Sequence, residues 1–121
     1  IPVFAPLTHA DGTMLNTNAD TIASVLAVSL CKHFDVRLIF CFEKLGVLRD
    51  IKDENSVIRS LNKSQYETLL ATGIFQDGIL PKLENAFNAI HSGVKEVLIG
   101  EHTHLLANTG YETKGTLITL S

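Results

Sequence analysis

The sequence predicts an α/β protein, a three-layer αβα sandwich around a mostly parallel sheet. Three observations lead there. Strand-like apolar runs alternate with helical patterns along most of the chain. One run, Val36-Arg37-Leu38-Ile39-Phe40-Cys41-Phe42, is rich in β-branched and aromatic residues, as a central strand of a parallel sheet should be. With 121 residues, 45 % of them apolar and 19 % charged, the chain has the size and composition of one ordinary globular domain.

Taken in order, residues 1–7 read as a buried strand, with Pro2 and Pro6 near its ends where proline is tolerated. Residues 8–15, containing Asp11-Gly12, read as a turn or tight hairpin. A first helix follows over about 18–33, poor in charge and so expected to be largely buried. The central strand at 36–42 stops at Glu43-Lys44-Leu45-Gly46-Val47-Leu48-Arg49-Asp50, where a glycine just past a strand end signals a close backbone approach. Residues 49–56 are loop, and 57–61 a short edge strand. A helix over 64–71 has Ser64 as its expected cap, with Glu67 completing a capping box, and Thr72-Gly73 as its end. After the loop at 74–78, Ile79, Leu83, Ala86, Phe87 and Ile90 form one helical stripe, with Pro81 in the first turn and Gly93 at the close. Residues 94–99 read as a strand, Leu105-Leu106 as a short helix or loop, and 115–120 as a last strand at the sheet edge.

Composition excludes several functions. A net charge of −3 without a Lys/Arg cluster argues against nucleic acid or an anionic membrane as partner. No apolar run approaches the ~20 residues of a membrane span, and no signal peptide is visible. Cys31 and Cys41 read as small buried hydrophobes of a reduced, cytosolic protein rather than as a disulfide. The chain starts on Ile-Pro-Val without an initiating Met, which reads as a piece of a longer protein.

The chemistry concentrates at two helix entrances. Asn16-Thr17-Asn18-Ala19-Asp20-Thr21 puts two amides and a carboxylate at the start of the first helix. Asn18 or Asp20 as a plain cap accounts for part of this, but not for the crowding of three such groups. Lys82 stands in the first turn of a later helix, where the dipole disfavours a cation, so an anion is expected to join it. Asp20 and Lys82 at neighbouring helix N-termini would suit phosphate handling. Neither GxxxxGK nor GxGxxG is present. His9, His33, His91, His102 and His104 make no recognisable metal set and read as surface residues, and no Ser-His-Asp or Cys-His arrangement has useful spacing.

Three stretches resemble motifs of a known family. Residues 16–23 resemble the asparagine–aspartate signature of the amino acid kinase family. Asp77-Gly78-Ile79-Leu80-Pro81-Lys82-Leu83-Glu84-Asn85-Ala86 resembles the lysine motif of the acetylglutamate kinases within it, and Gly46-Val47-Leu48-Arg49-Asp50 the nucleotide-site turn of the same enzymes. The resemblance runs in the same order and spacing to about Ile99, and it is to the carboxyl-terminal, ATP-binding lobe. It implies that residues 1–121 are that lobe of a longer homo-oligomeric kinase of arginine biosynthesis, whose amino-terminal lobe supplies glycine-rich loops and a second lysine. It implies ATP and Mg²⁺, with N-acyl-L-glutamate as phosphoryl acceptor. Lys82 would then be catalytic, Asp20 would hold the catalytic lysines, and Asn16 would bind the acylglutamate. Glu43, Lys44, Leu45, Gly46, Val47, Leu48, Ile74, Phe75 and Gln76 would line the nucleotide.

Departures from the pattern are Phe42-Glu43-Lys44, where many members have a Ser/Thr-Asp pair, and the tail from His104 on, which matches poorly. Two alternatives stand beside this reading. One is a family member acting on aspartate, glutamate, carbamate or a nucleotide. The other is a non-catalytic flavodoxin-like binding domain, against which the lack of an acidic pair or phosphate loop after Leu7 counts.

Overall fold

A computed structural model describes residues 1–75 and 78–121. Its strands are β1 (Leu7–Ala10), β2 (Thr13–Asn16), β3 (Arg37–Phe42), β4 (Ser60–Leu61), β5 (Glu96–Glu101) and β6 (Thr116–Ile118). The helices are α1 (Ala19–Leu30), α2 (Lys63–Ala71), α3 (Leu80–His91) and α4 (Leu105–Asn108), the last entered through a 3₁₀ turn, His102–His104.

The main sheet has the order β3-β5-β6-β4. β3 and β5 run parallel in full register from Arg37–Glu96 to Phe42–Glu101, and β4 runs parallel to β6. The join between β5 and β6 is antiparallel. Leu38 and Phe40 of β3 share a face with Val97 and Ile99 of β5 and with Ile118 of β6, because residues two apart along a strand point the same way. That face is covered by α1 and α3, through Ala27 and through Leu83, Ala86, Phe87 and Ile90, all buried. Tyr66 of α2 joins the same core, its ring centroid 4.7 Å from that of Phe87 and 5.7 Å from that of Phe75. The opposite face is covered more thinly by α4, which packs on β5. There Arg37 ties β3 to its neighbours: Nε donates to Glu96 at 2.6 Å and Nη1 donates to the carbonyl of Asn108 at 3.0 Å. The three-layer α/β architecture with a mostly parallel sheet is thus the observed one.

Several local expectations are corrected. Residues 1–6 form no strand, and Ile1, Val3 and Phe4 are exposed. The hairpin expected over 8–15 is present, pairing β1 with β2, antiparallel, through Asp11-Gly12 with φ of 50° and 79°, the positive values a two-residue hairpin turn demands. Helix α1 ends at Leu30, and only Ala27 is fully buried, because one helix face meets the sheet and the other carries exposed Val25 and Leu30. β3 lies at the sheet edge among the described residues, and β5 holds the centre. β6 is internal, and β4 takes the edge beside it. The capping box of α2 is built by Asn62 and Gln65, with reciprocal bonds of 2.9 and 3.0 Å, rather than by Ser64 and Glu67. Cys31 is only half-buried and Cys41 is exposed, since Cys41 points to the thinly covered face; both are free thiols. No helix is long and apolar enough to cross a membrane among the described residues.

Candidate functional site

Two helix entrances and one strand meet at the site. Asn18 caps α1 by accepting the Asp20 N–H at 2.8 Å, and Ser24 Oγ donates back to the Asp20 carbonyl at 2.8 Å. These local bonds hold the first turn from which the Asp20 side chain projects. At α3, Pro81 occupies the first turn and no side chain caps it among the described residues. Lys82 projects from this turn and donates from Nζ to Asp20 Oδ2 at 2.6 Å, with the two side chains 17 % and 26 % exposed. Its ammonium also lies 5.5 Å from the ring centroid of buried Phe40 in β3. The two residues are 62 positions apart, so the packing of α1 on α3, not local sequence, creates the pair. Charge-assisted bonds of this length, partly shielded from water, are strong and directional.

A cleft opens between the carboxyl end of β3 and the residues that lead into α3, the helix that carries Lys82. It is lined by Phe42, Glu43 and Lys44 from the end of β3, by Gly46, Val47, Leu48 and Ile51, and by Ile74, Phe75, Gly78 and Ile79 leading into α3. Phe42 follows Phe40 by two residues and shares its face of β3, so the aromatic floor under Lys82 continues into the cleft. A crevice outside the carboxyl end of a parallel strand is where open α/β sheets bind ligands.

The loop at Gly46 is held by a distant strand. Val47 N–H donates to Thr116 Oγ1 of β6 at 2.8 Å, and a Cβ built on Gly46 would meet that same oxygen at 2.7 Å. The close approach signalled by this glycine therefore exists, and its partner is Thr116. On the outer side, Lys44 reaches Glu54 at 3.5 Å. The hairpin-like return of the loop is bonded between Ile58 N–H and the Val47 carbonyl at 2.8 Å.

Most sequence-derived positions fall together. Asp20 and Lys82 form the pair, while Glu43, Lys44, Gly46, Val47, Leu48, Ile74 and Phe75 all line the cleft. Leu45 does not line it, being half-buried in the turn between lining residues, and Gln76 lies outside the described residues. Asn16 stands exposed at the end of β2, paired with Leu7 in the hairpin, and makes no hydrogen bond to the Lys82–Asp20 pair. Phe42, Ile51, Gly78 and Ile79 were missed. An isolated apolar residue within the polar 49–56 stretch was the available signal for Ile51; the others looked like ordinary strand and helix-start residues. Among the described residues no three His, Cys, Asp or Glu side chains converge as a metal cage. His104 instead pairs with Glu101 at 3.2 Å.

A positive group at a helix entrance, steadied by one carboxylate and opening on an apolar cleft, can receive an anion whose organic part fills the cleft.

Comparison with known proteins adds the following. A model of the amino acid kinase family matches residues 1–101. The chain is 59 % identical over 99 residues to an acetylglutamate kinase of Cytophaga hutchinsonii, covering 81 % of this chain and 38 % of that one. It is 50 % identical over 115 residues to an acetylglutamate kinase of Bacteroides thetaiotaomicron, covering 94 % and 45 %. A carbamate kinase of Giardia lamblia, solved bound to AMP-PNP, matches with a TM-score of 0.72 over 95 % of this chain and 41 % of its own, at 17 % identity, which shows a shared fold. The chain thus spans less than half the length of the curated relatives it matches.

Proposed function

The chain belongs to the amino acid kinase family, and on that premise we propose that it is the nucleotide-binding lobe of an N-acyl-L-glutamate kinase. The reaction would transfer the γ-phosphoryl group of ATP to the side-chain carboxylate of N-acetylglutamate or a close analogue, in arginine biosynthesis. The observation that carries this reading is the 2.6 Å Lys82–Asp20 pair, with Lys82 three residues along the chain from Ile79 of the cleft. The acetylglutamate kinases at 59 % and 50 % identity support the choice of acceptor. Two free thiols accord with a cytoplasmic place for the reaction.

The acceptor carboxylate, with an ordinary pKa of about 4.3, is already ionised at neutral pH, so the chain needs no general base. One acceptor oxygen bonds to the γ-phosphorus while the bond from that phosphorus to the bridging oxygen breaks, leaving an acyl phosphate and ADP. Lys82 is assigned to the charge on the moving phosphoryl group, and Asp20 to the direction of the lysine. The apolar lining of the cleft, Phe42, Val47 and Phe75 among it, would take the base. Among the described residues no three carboxylate, imidazole or thiol side chains converge, so Mg²⁺ would arrive with the nucleotide. When bound, it neutralises phosphate charge. Asn16, in the exposed hairpin, is assigned to the acylglutamate, and the amino-terminal lobe of the longer protein to the rest of that pocket.

Calorimetry of the 121-residue chain with MgATP tests the lobe. Weak binding is expected, and further weakening in Lys82→Ala; equal affinity in the two would remove Lys82 from the phosphates. In the intact protein, ATP-dependent formation of a hydroxylamine-trappable acyl phosphate from N-acetylglutamate is expected. Turnover by the 121 residues alone would overturn the half-enzyme assignment. Comparing acetyl and succinyl acceptors defines the acyl group.

A further inference from the structure

We infer that Phe40 is a positioning residue for Lys82, an inference that rests on the kinase reading above. Lys82 sits where an ammonium is least comfortable, in the first turn of α3 with the positive end of the helix dipole behind it. Asp20 holds it by charge, at 2.6 Å. A carboxylate alone would neutralise the lysine and draw it away from any phosphate. The Phe40 ring, 5.5 Å from Nζ and only 2 % exposed, holds the same ammonium through its quadrupole, without a countercharge. Its position is also rigid. Phe40 belongs to β3, opposite Ile99 of the central strand and within the core that α1 and α3 cover.

The arrangement divides two tasks between two residues. Asp20 sets the direction of the ammonium, and the ring sets its depth above the strand, next to Phe42 where the cleft begins. The lysine therefore keeps its charge available to an arriving phosphate while having few places to go. Reactions that depend on alignment lose rate when such a group is left to wander. No other aromatic ring lies under Lys82 among the described residues.

The test uses the intact protein, with Phe40 replaced in turn by mono-, di- and trifluorophenylalanine, which weaken the ring quadrupole stepwise at nearly constant shape. Phe40→Leu and Phe40→Tyr complete the series, with melting temperatures recorded throughout. Expected are a stepwise fall in kcat with fluorination at unchanged KM for the acylglutamate and unchanged melting temperature, a kcat loss of roughly 5- to 30-fold in Phe40→Leu, and recovery in Phe40→Tyr. A flat fluorine series in an active enzyme overturns the inference, and so does a loss of kcat that merely follows the melting temperature. A separate arm reads the contact itself: the Lys82 ε-methylene protons, assigned by Lys82→Arg, are shifted upfield by the ring, and the shift disappears in Phe40→Leu. An absent shift refutes the placement whatever the activity. An intact wild-type protein that shows the shift but does not phosphorylate N-acetylglutamate refutes the kinase reading, and the ring is then a structural contact only.

Discussion

The first sixteen residues and the Lys82–Asp20 corner both draw on apolar sequence, yet they are held in different ways. Residues 1–16 are exposed throughout, and their hairpin is bonded to itself and, through Thr17 N–H and the Pro6 carbonyl, to its own stem. The corner is made of residues far apart in sequence, set on helices that share a core with β3 and β5. An apolar run thus becomes a buried strand only where other elements supply a ladder and a covering layer. A polar motif becomes a site where a packed core brings its parts within bonding distance.

The largest effects should follow from breaking the corner. In the intact protein, Lys82→Ala is expected to lower kcat by about 10²- to 10³-fold, the scale of losing one preorganised donor to developing charge; an unchanged kcat for the acylglutamate would remove the corner from the chemistry. The next largest contrast is in stability. Phe87→Ala empties a site 3 % exposed and should cost roughly 3–5 kcal/mol, whereas Phe4→Ala, at a site 61 % exposed, should stay within about 0.5 kcal/mol. Urea denaturation of the 121-residue chain measures both, and equal costs would erase the distinction between the regions.

Gly46→Ala sharpens the comparison inside the corner, because the added methyl must displace Thr116 and strain the Val47 bond. A loss of about 1–3 kcal/mol together with weaker MgATP binding is expected; normal binding would separate the loop from the cleft. Smaller still, Asn62→Ala should cost about 1 kcal/mol and Ser64→Ala close to nothing, by thermal melting. The smallest effect concerns Tyr66. Burial, with the nearby Glu84 charge, raises its hydroxyl above the ordinary 10.0. The folded state therefore keeps this proton longer than the unfolded chain. Stability is whole below about pH 10 and declines as pH rises from there through the folded value. Tyr66→Phe should flatten that decline in an alkaline denaturation series.

The parts of this design that were legible in the sequence were those with local signatures. Asp20 and Lys82 announced themselves by standing in first helical turns, and Gly46 by following a strand. Strand order was not legible, because it depends on which edges meet. β3 looks central since its residues are apolar on both faces, yet β5 has partners on both sides. β6 is three residues long, too short to declare its place. The cap of α2 was misread because Asn62-x-x-Gln65 and Ser64-x-x-Glu67 both carry the capping pattern, two residues apart. The end of β4 at Leu61 selects the first. Exposure of residues 1–6 was invisible to a reading that took apolar composition as burial.

Thr116 and its strand impose a schedule on the molecule. A ribosome releases β3, the cleft loop, β4, α3 and β5 before it releases β6, and β6 is the strand that joins β4 to β5. Until residue 118 has emerged, β4 has no neighbour in the sheet and Val47 N–H has no Thr116 to receive it. The Lys82–Asp20 corner can assemble early, from α1, α3 and β3, while the cleft beside it waits for the last strand. Nascent chains stalled before Thr116 and after Ile118 should therefore differ in nucleotide capture more than in helix content, so the growing chain acquires the charges of the site first and the room for its ligand afterwards.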